Sequence, residues 1–231
     1  MTSAPDRRDV SRVYETRDSA GSGPAVSRVE RALLAETFER VGANAPTLSG
    51  DWTAHQLAAH LVLRESDPVS SFRASVPKLG DTAVHDLAVR AAFDDLVQRF
   101  RSGPPQLSVF RVPGVDSRLN TLEHLIHHED VRRAQPSWQP RTLPAWAQDQ
   151  IWRPLRIMAR VIARQAPTAL MIERSDTGES LVARKGSHPV VVRGLPVELA
   201  LYVYGRRAVA KIHLDGGPDD PDRTGGAPSN R

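Results

Sequence analysis

From Val26 onward the apolar positions Val29, Leu33, Leu34, Phe38 and Val41 recur at three- and four-residue steps, which predicts an amphipathic helix to about Gly42. After the loop ANAPTLSGDW, a second helix is predicted from an N-cap at Thr53 or Asp51 to about Ser66. On it Leu57 and Leu63 flank His60 within about 60° of projection, so His60 lies on an apolar stripe while His55 lies well round the helix. Pro68, Pro77 and Gly80 mark a broken connection. DTAVHDLAVRAAFDDLVQRFRSG then reads as one third helix from Asp81 to Gly103, with Phe93, Leu96, Val97 and Phe100 facing a core and His85 solvated near its start. The stretch PPQLSVFRVPGVDSR reads as a loop, and a fourth helix is predicted from an N-cap at Asn120. A fifth carries Trp146, Ile151, Trp152, Leu155, Met158, Val161 and Ile162, with Pro154 expected to bend or split it.

At Ala169 the pattern changes to short β-branched runs broken by Gly and Asp. ALMIERS, ESLVARKG and HPVVVRG predict strands, LPVELALYVYGRR a helix and VAKIHLDGG a last strand. The predicted fold class is mainly α, followed by a small α+β unit. Residues 1–25 and 217–231 are polar, with no apolar periodicity, and are expected to be a disordered leader and tail. The expected organisation is a helical domain over 26–143 and a linking helix with the α+β domain over 144–216.

Composition narrows the function classes. The formal net charge is +4, but acidic and basic residues alternate and no run of five like charges occurs, so a mixed solvated surface is expected and no nucleic-acid partner. The chain has 0 cysteines, which excludes disulfides, thiolate-ligated metal and a protein thiol nucleophile; thiol chemistry would need an external thiol. No stretch approaches the roughly 20 apolar residues of a membrane helix and no signal-peptide core is evident, so the expectation is a cytoplasmic protein without a membrane partner.

Candidate chemistry concentrates in Asn120 to Gln135, NTLEHLIHHEDVRRAQ. This stretch packs His124, His127, His128, Glu123, Glu129 and Asp130 into about four helical turns. Residues four apart share a helix face, so Glu123 and His127 can point at one atom, and so can His124 and His128. Projection favours the first pair. A capping-box role for Glu123, three residues after the Asn120 cap, stands as the rival explanation. Two donors are too few for a divalent ion, and His60 is the better placed candidate for a third, with a core histidine held by backbone or side-chain partners as the rival explanation. Arg64 lies one turn after His60 and could meet a substrate carboxylate or simply snorkel to solvent. His128 and Asp130 could orient the ligands from behind or be polar residues near a helix end.

Trp52 with Ala59, His60 and Leu61, followed by E-x3-H-H-x-D at Glu123, His127, His128 and Asp130, resembles the metal-binding domain of mycothiol-dependent maleylpyruvate isomerases. The likeness extends to V-x-G-x3-E-L from Val192 and the late Gly205-Arg206. It implies a DinB-like four-helix bundle followed by the small α+β domain. It further implies a divalent metal on His60, Glu123 and His127, and a basic residue near the substrate at Arg206. Zinc is expected, with nickel, iron and manganese as alternatives. The implied partners are mycothiol or a similar low-molecular-weight thiol and an electrophilic substrate. Two function classes follow: a metal- and thiol-dependent transferase or isomerase, and a non-catalytic metal-binding or ligand-sensing protein on the same fold. Whether the chain is a monomer or a homodimer stays open.

Overall fold

A computed structural model describes residue 14 and residues 25–66, 79–104 and 115–216. The helices are α1 (Val26–Val41), α2 (Ala54–Ser66), α3 (Leu79–Arg90), α4 (Phe93–Ser102), α5 (Val115–Arg133) and α6 (Ala145–Ile162). A 3-10 turn (Ala163–Gln165), β1 (Leu170–Arg174), β2 (Ser180–Arg184), β3 (Val190–Gly194), α7 (Pro196–Val203) and β4 (His213–Asp215) follow. The chain divides into two compact units between Gln150 and Ile151. Among the described residues no helix is long and apolar enough to cross a membrane.

In the first unit α1 packs on α5 and α4, while α2 packs on α3 and α4. Leu34 and Phe38 of α1 meet Leu57 and Leu61 of α2 and Leu96 and Phe100 of α4, all essentially inaccessible to solvent. Each such side chain contributes about 1.5–3 kcal/mol through burial. The start of α2 follows from a reciprocal cap: Thr53 N–H donates to Gln56 Oε1 at 2.9 Å, and Gln56 N–H faces Thr53 Oγ1 at 3.5 Å.

Several expectations are corrected. The single third helix is two, because Ala92 is extended (ψ 145) and α4 restarts at Phe93. The interruption leaves the Ala91 carbonyl to accept a bond from His55 Nε2 at 3.0 Å. The fourth helix begins at Val115, so Asn120 is internal and not a cap; its fully buried amide oxygen accepts from the Arg64 guanidinium instead. Pro154 does not split α6, which runs through it. Within the expected leader, Tyr14 is buried, bonds Glu30 through its hydroxyl and lies 5.6 Å from the Trp146 ring. The rest of 1–24, the tail from 217, and residues 67–78 and 105–114 lie outside the described residues.

The second unit holds a mixed sheet of order β2-β1-β3-β4. β1 and β3 run parallel at its centre, with Ile172 opposite Val192 and both fully buried, while β2 and β4 add antiparallel edges. Helix α7, with Pro196 in its first turn and Leu199, Ala200 and Leu201 buried, packs on β1 and β3. The strands and helix expected from Ala169 are therefore present in the expected order.

Candidate metal centre

The i, i+4 spacing on α5 puts Glu123 and His127 on one side, where α2 presents His60 from the apolar stripe beside Leu57. The three side chains meet. His60 Nε2 lies 3.2 Å from Glu123 Oε1, and His127 Nε2 lies 3.3 Å from the same oxygen. The imidazole rings stand edge to face with centroids 5.2 Å apart. One ligand atom from each residue falls within 4.8 Å of the other two, the one grouping of its kind among the described residues.

The donor set fits a divalent ion on two counts. Imidazole nitrogen and carboxylate oxygen are both good ligands for zinc and its neighbours. Metal–ligand bonds of about 2.0–2.1 Å in tetrahedral geometry place neighbouring donors roughly 3.3 Å apart. The two contacts to Glu123 already have that length. Three protein donors leave a fourth position for water or an added ligand, as in catalytic rather than closed structural sites.

Protonation is set by the surroundings. Burial pulls His60 below the ordinary imidazole range, against the hydrogen bond to Glu123, which keeps it a free base. For Glu123, burial works to raise the pKa, but the bonds to His127 and His60 and the nearby Arg64 charge hold it well below the usual carboxylate range. For His127, burial works downward; the bonds to Asp130 and Glu123 outweigh it and push the ring up to about 9.

Arg64, for which a substrate carboxylate or solvent was the expected partner, sits against the cluster with its Nε 3.2 Å from Glu123 Oε1 and a second bond to Asn120. Asp130 reaches His127 directly, accepting from its Nδ1–H at 3.0 Å. His128 instead engages the far side of the helix, donating from Nδ1 to Glu30 at 2.6 Å and meeting the Thr37 hydroxyl at Nε2, 3.0 Å away. Arg206 belongs to the second unit, where its guanidinium donates to the Tyr204 carbonyl at 2.6 Å. His85 is exposed, as expected.

Two groups of buried charges escaped the sequence. His124 is fully buried between the Ser27 carbonyl (2.9 Å) and Glu65 (3.1 Å), and Glu65 also pairs with Arg31 at 2.6 Å. Behind His128, the Arg141 guanidinium bridges Glu30 (3.0 Å) and Glu129 (2.6 Å), and Glu129 takes further bonds from Arg132 and Arg133. The helical repeat puts Glu30 on the apolar stripe of α1 and Glu129 on that of α5, a signal of burial, but the cation that joins them, Arg141, shows only in contacts between distant elements. Ser49, which donates to Asp130 Oδ2 at 2.7 Å, also went unseen, since a loop serine has no periodicity.

No protein-family model and no curated protein sequence matches the chain. Two solved structures do, those of the mycothiol-dependent maleylpyruvate isomerase and of a histidine-to-alanine variant of it. Each has a TM-score of 0.55 and 14% identity over 88% of this chain and 92% of the other. The fold, N-terminal helices followed by a small four-stranded mixed sheet, is therefore the fold of that isomerase.

Proposed function

We propose that this chain, sharing the fold of the mycothiol-dependent maleylpyruvate isomerase, is a divalent-metal protein that acts on a low-molecular-weight thiol as a transferase or isomerase. The observation that carries the metal is the convergence of His60, Glu123 and His127 donors within 4.8 Å. Zinc is the ion that best suits two imidazoles and one carboxylate. When bound, a divalent ion supplies a Lewis acid that lowers the pKa of a coordinated thiol toward neutrality.

The chain's own residues prepare that position. His60, kept a free base by burial, offers a nitrogen lone pair, and Glu123, kept anionic, offers a charge to neutralise the cation. Asp130 holds the Nδ1 proton of His127, so the proton the ring would give up to a metal is the one on Nε2, which faces the cluster. Arg64 places a positive charge beside the site, suited to an anionic substrate. With no cysteine in the chain, the thiol comes from solution, mycothiol or a relative of it.

The test has two stages. Purified protein is assayed for metal by elemental analysis beside His60→Ala, with helicity checked by circular dichroism; one ion per chain in wild type and none in the variant is expected. The cobalt-substituted protein is then titrated with a small thiol, and a sulfur-to-cobalt charge-transfer band is expected. A protein that takes up neither zinc nor nickel sinks the reading. A non-catalytic metal-binding or ligand-sensing role is the second reading, favoured by the engagement of Arg64 with both Asn120 and Glu123. Consumption of thiol with an electrophile separates the two.

A further inference from the structure

We propose that Ser49 is the outer member of a positioning relay, running from Ser49 through Asp130 to His127, by which the loop between α1 and α2 sets up the metal centre. The inference rests on the metal reading above. For His127 to bind through Nε2, the ring proton must sit on Nδ1, and it needs an acceptor there. Asp130 Oδ2 supplies one at 3.0 Å. A fully buried carboxylate in turn needs donors of its own, and the Ser49 hydroxyl donates to that same oxygen at 2.7 Å. Ser49 Oγ is also 3.4 Å from His127 Nδ1, so the serine, the aspartate oxygen and the imidazole nitrogen lie around one point.

The loop is fixed where it must be. Leu48 N–H donates to the Asp130 carbonyl at 3.1 Å, so the residue next to Ser49 is tied to the same aspartate through backbone. Thr47 Oγ1 donates to the Trp52 carbonyl at 2.7 Å and accepts from Ser49 N–H at 3.2 Å, closing the loop on itself. Gln135 Nε2, just past the end of α5, holds the Pro46 carbonyl at 3.0 Å. At the far end of the loop the Trp52 ring lies 5.1 Å from the His60 ring. One short segment thus reaches both histidines of the cluster: His127 by hydrogen bonds through Asp130, His60 by ring contact. Outer partners of a ligating histidine fix its tautomer and orientation, and their loss typically lowers metal affinity 10- to 100-fold.

The competing explanation is a plain structural tie between a loop and a helix, and metal affinity distinguishes the two. Zinc dissociation constants are measured by competition with a chromophoric chelator for wild type, Ser49→Ala, Ser49→Thr and Asp130→Asn, together with melting of the metal-free proteins and visible spectra of the cobalt-substituted ones. Asp130→Asn, whose amide can offer a donor to Nδ1 and move the proton to Nε2, is expected to weaken zinc about 10- to 100-fold. Ser49→Ala, at a half-buried loop position that a methyl group fills without strain, is expected to weaken it several-fold and to alter the cobalt spectrum. Ser49→Thr, which keeps the hydroxyl, is expected to restore both. Wild-type affinity in Ser49→Ala and Asp130→Asn, whether or not their melting falls, overturns the relay and leaves the metal reading standing. Absence of zinc uptake by wild type overturns both.

Discussion

Helix α5 carries two i, i+4 pairs one residue apart in register, Glu123 with His127 and His124 with His128, and they have opposite fates. Glu123 and His127 keep side-chain exposures of 21% and 13%, and their donor atoms point at a shared space with His60. His124 and His128 are at 0% and 2%, and each has both ring nitrogens occupied by fixed protein partners. Histidine density alone therefore does not make a metal centre. What separates the pairs is whether donor atoms converge on one point with access from outside, or diverge into separate contacts that use them up.

The largest effect expected from breaking this contrast is on metal. His127→Ala should lower zinc affinity at least 100-fold with helicity unchanged, whereas His124→Leu should keep one zinc per chain, as measured by equilibrium dialysis. Next is stability on the closed side. Arg141→Met removes the cation between Glu30 and Glu129 and leaves two buried carboxylates short of a partner, so a loss of about 3–5 kcal/mol is expected from denaturant midpoints. Zinc stoichiometry of whatever fraction stays folded should be unaffected; loss of zinc there would join two regions held here to be independent.

A thermal shift sharpens the open side. Zinc at about 100 times its dissociation constant should stabilise wild type by about 2.7 kcal/mol and leave His60→Ala unmoved. Acid offers a gentler probe of the closed side. Burial works to raise Glu30, but Arg141 and His128 outweigh it and lower the pKa from 4.5 to about 2. The unfolded chain then takes up that proton first as pH falls. The contribution of Glu30 is fully present above pH 4.5 and is lost as pH drops toward 2. Urea midpoints at successive pH values should fall over that window, and Glu30→Gln should flatten the fall while lowering the plateau.

How much of this was legible in the sequence depended on whether a residue's environment is local. The extents of α1 and α2 followed from apolar spacing and the Thr53 cap, because helix faces and caps are decided within one or two turns. The same rule put Glu123 beside His127 and His60 on an apolar stripe, but it left a capping box for Glu123 and a core histidine for His60 as rivals, and the choice of His60, Glu123 and His127 as one set came from the family resemblance. Where the chain broke without a Gly or Pro, at Ala91 and Ala92, the freed Ala91 carbonyl is met by a partner on another helix, His55, which no local pattern announces. Asn120 looked like a cap because Asn favours caps, yet its amide is satisfied by Arg64, 56 residues away. Glu30 lies on the Leu33 and Leu34 stripe of α1 and Glu129 on the Leu125 and Ile126 stripe of α5, so the helical repeat points both inward, but their cation, Arg141, sits in the connection between α5 and α6, where no period marks it. Ser49 belongs to the same class: its meaning comes from Asp130, 81 residues further on.

His60 and Glu123 are separated by 63 residues, and the fold brings them together on α2 and α5, whose Leu57, Leu61 and Val131 share one buried core. Closing a flexible interval of that length costs on the order of 4 kcal/mol in chain entropy. That cost is met when the helices assemble, so none of it is drawn from ligation. Small zinc modules that fold around their ion behave otherwise: a chelator unfolds them. If the proposed ion occupies a site that the shared core already assembles, its removal should leave a native-like apo-protein, and uptake should be governed by the exchange of water on the incoming ion rather than by any refolding of the chain.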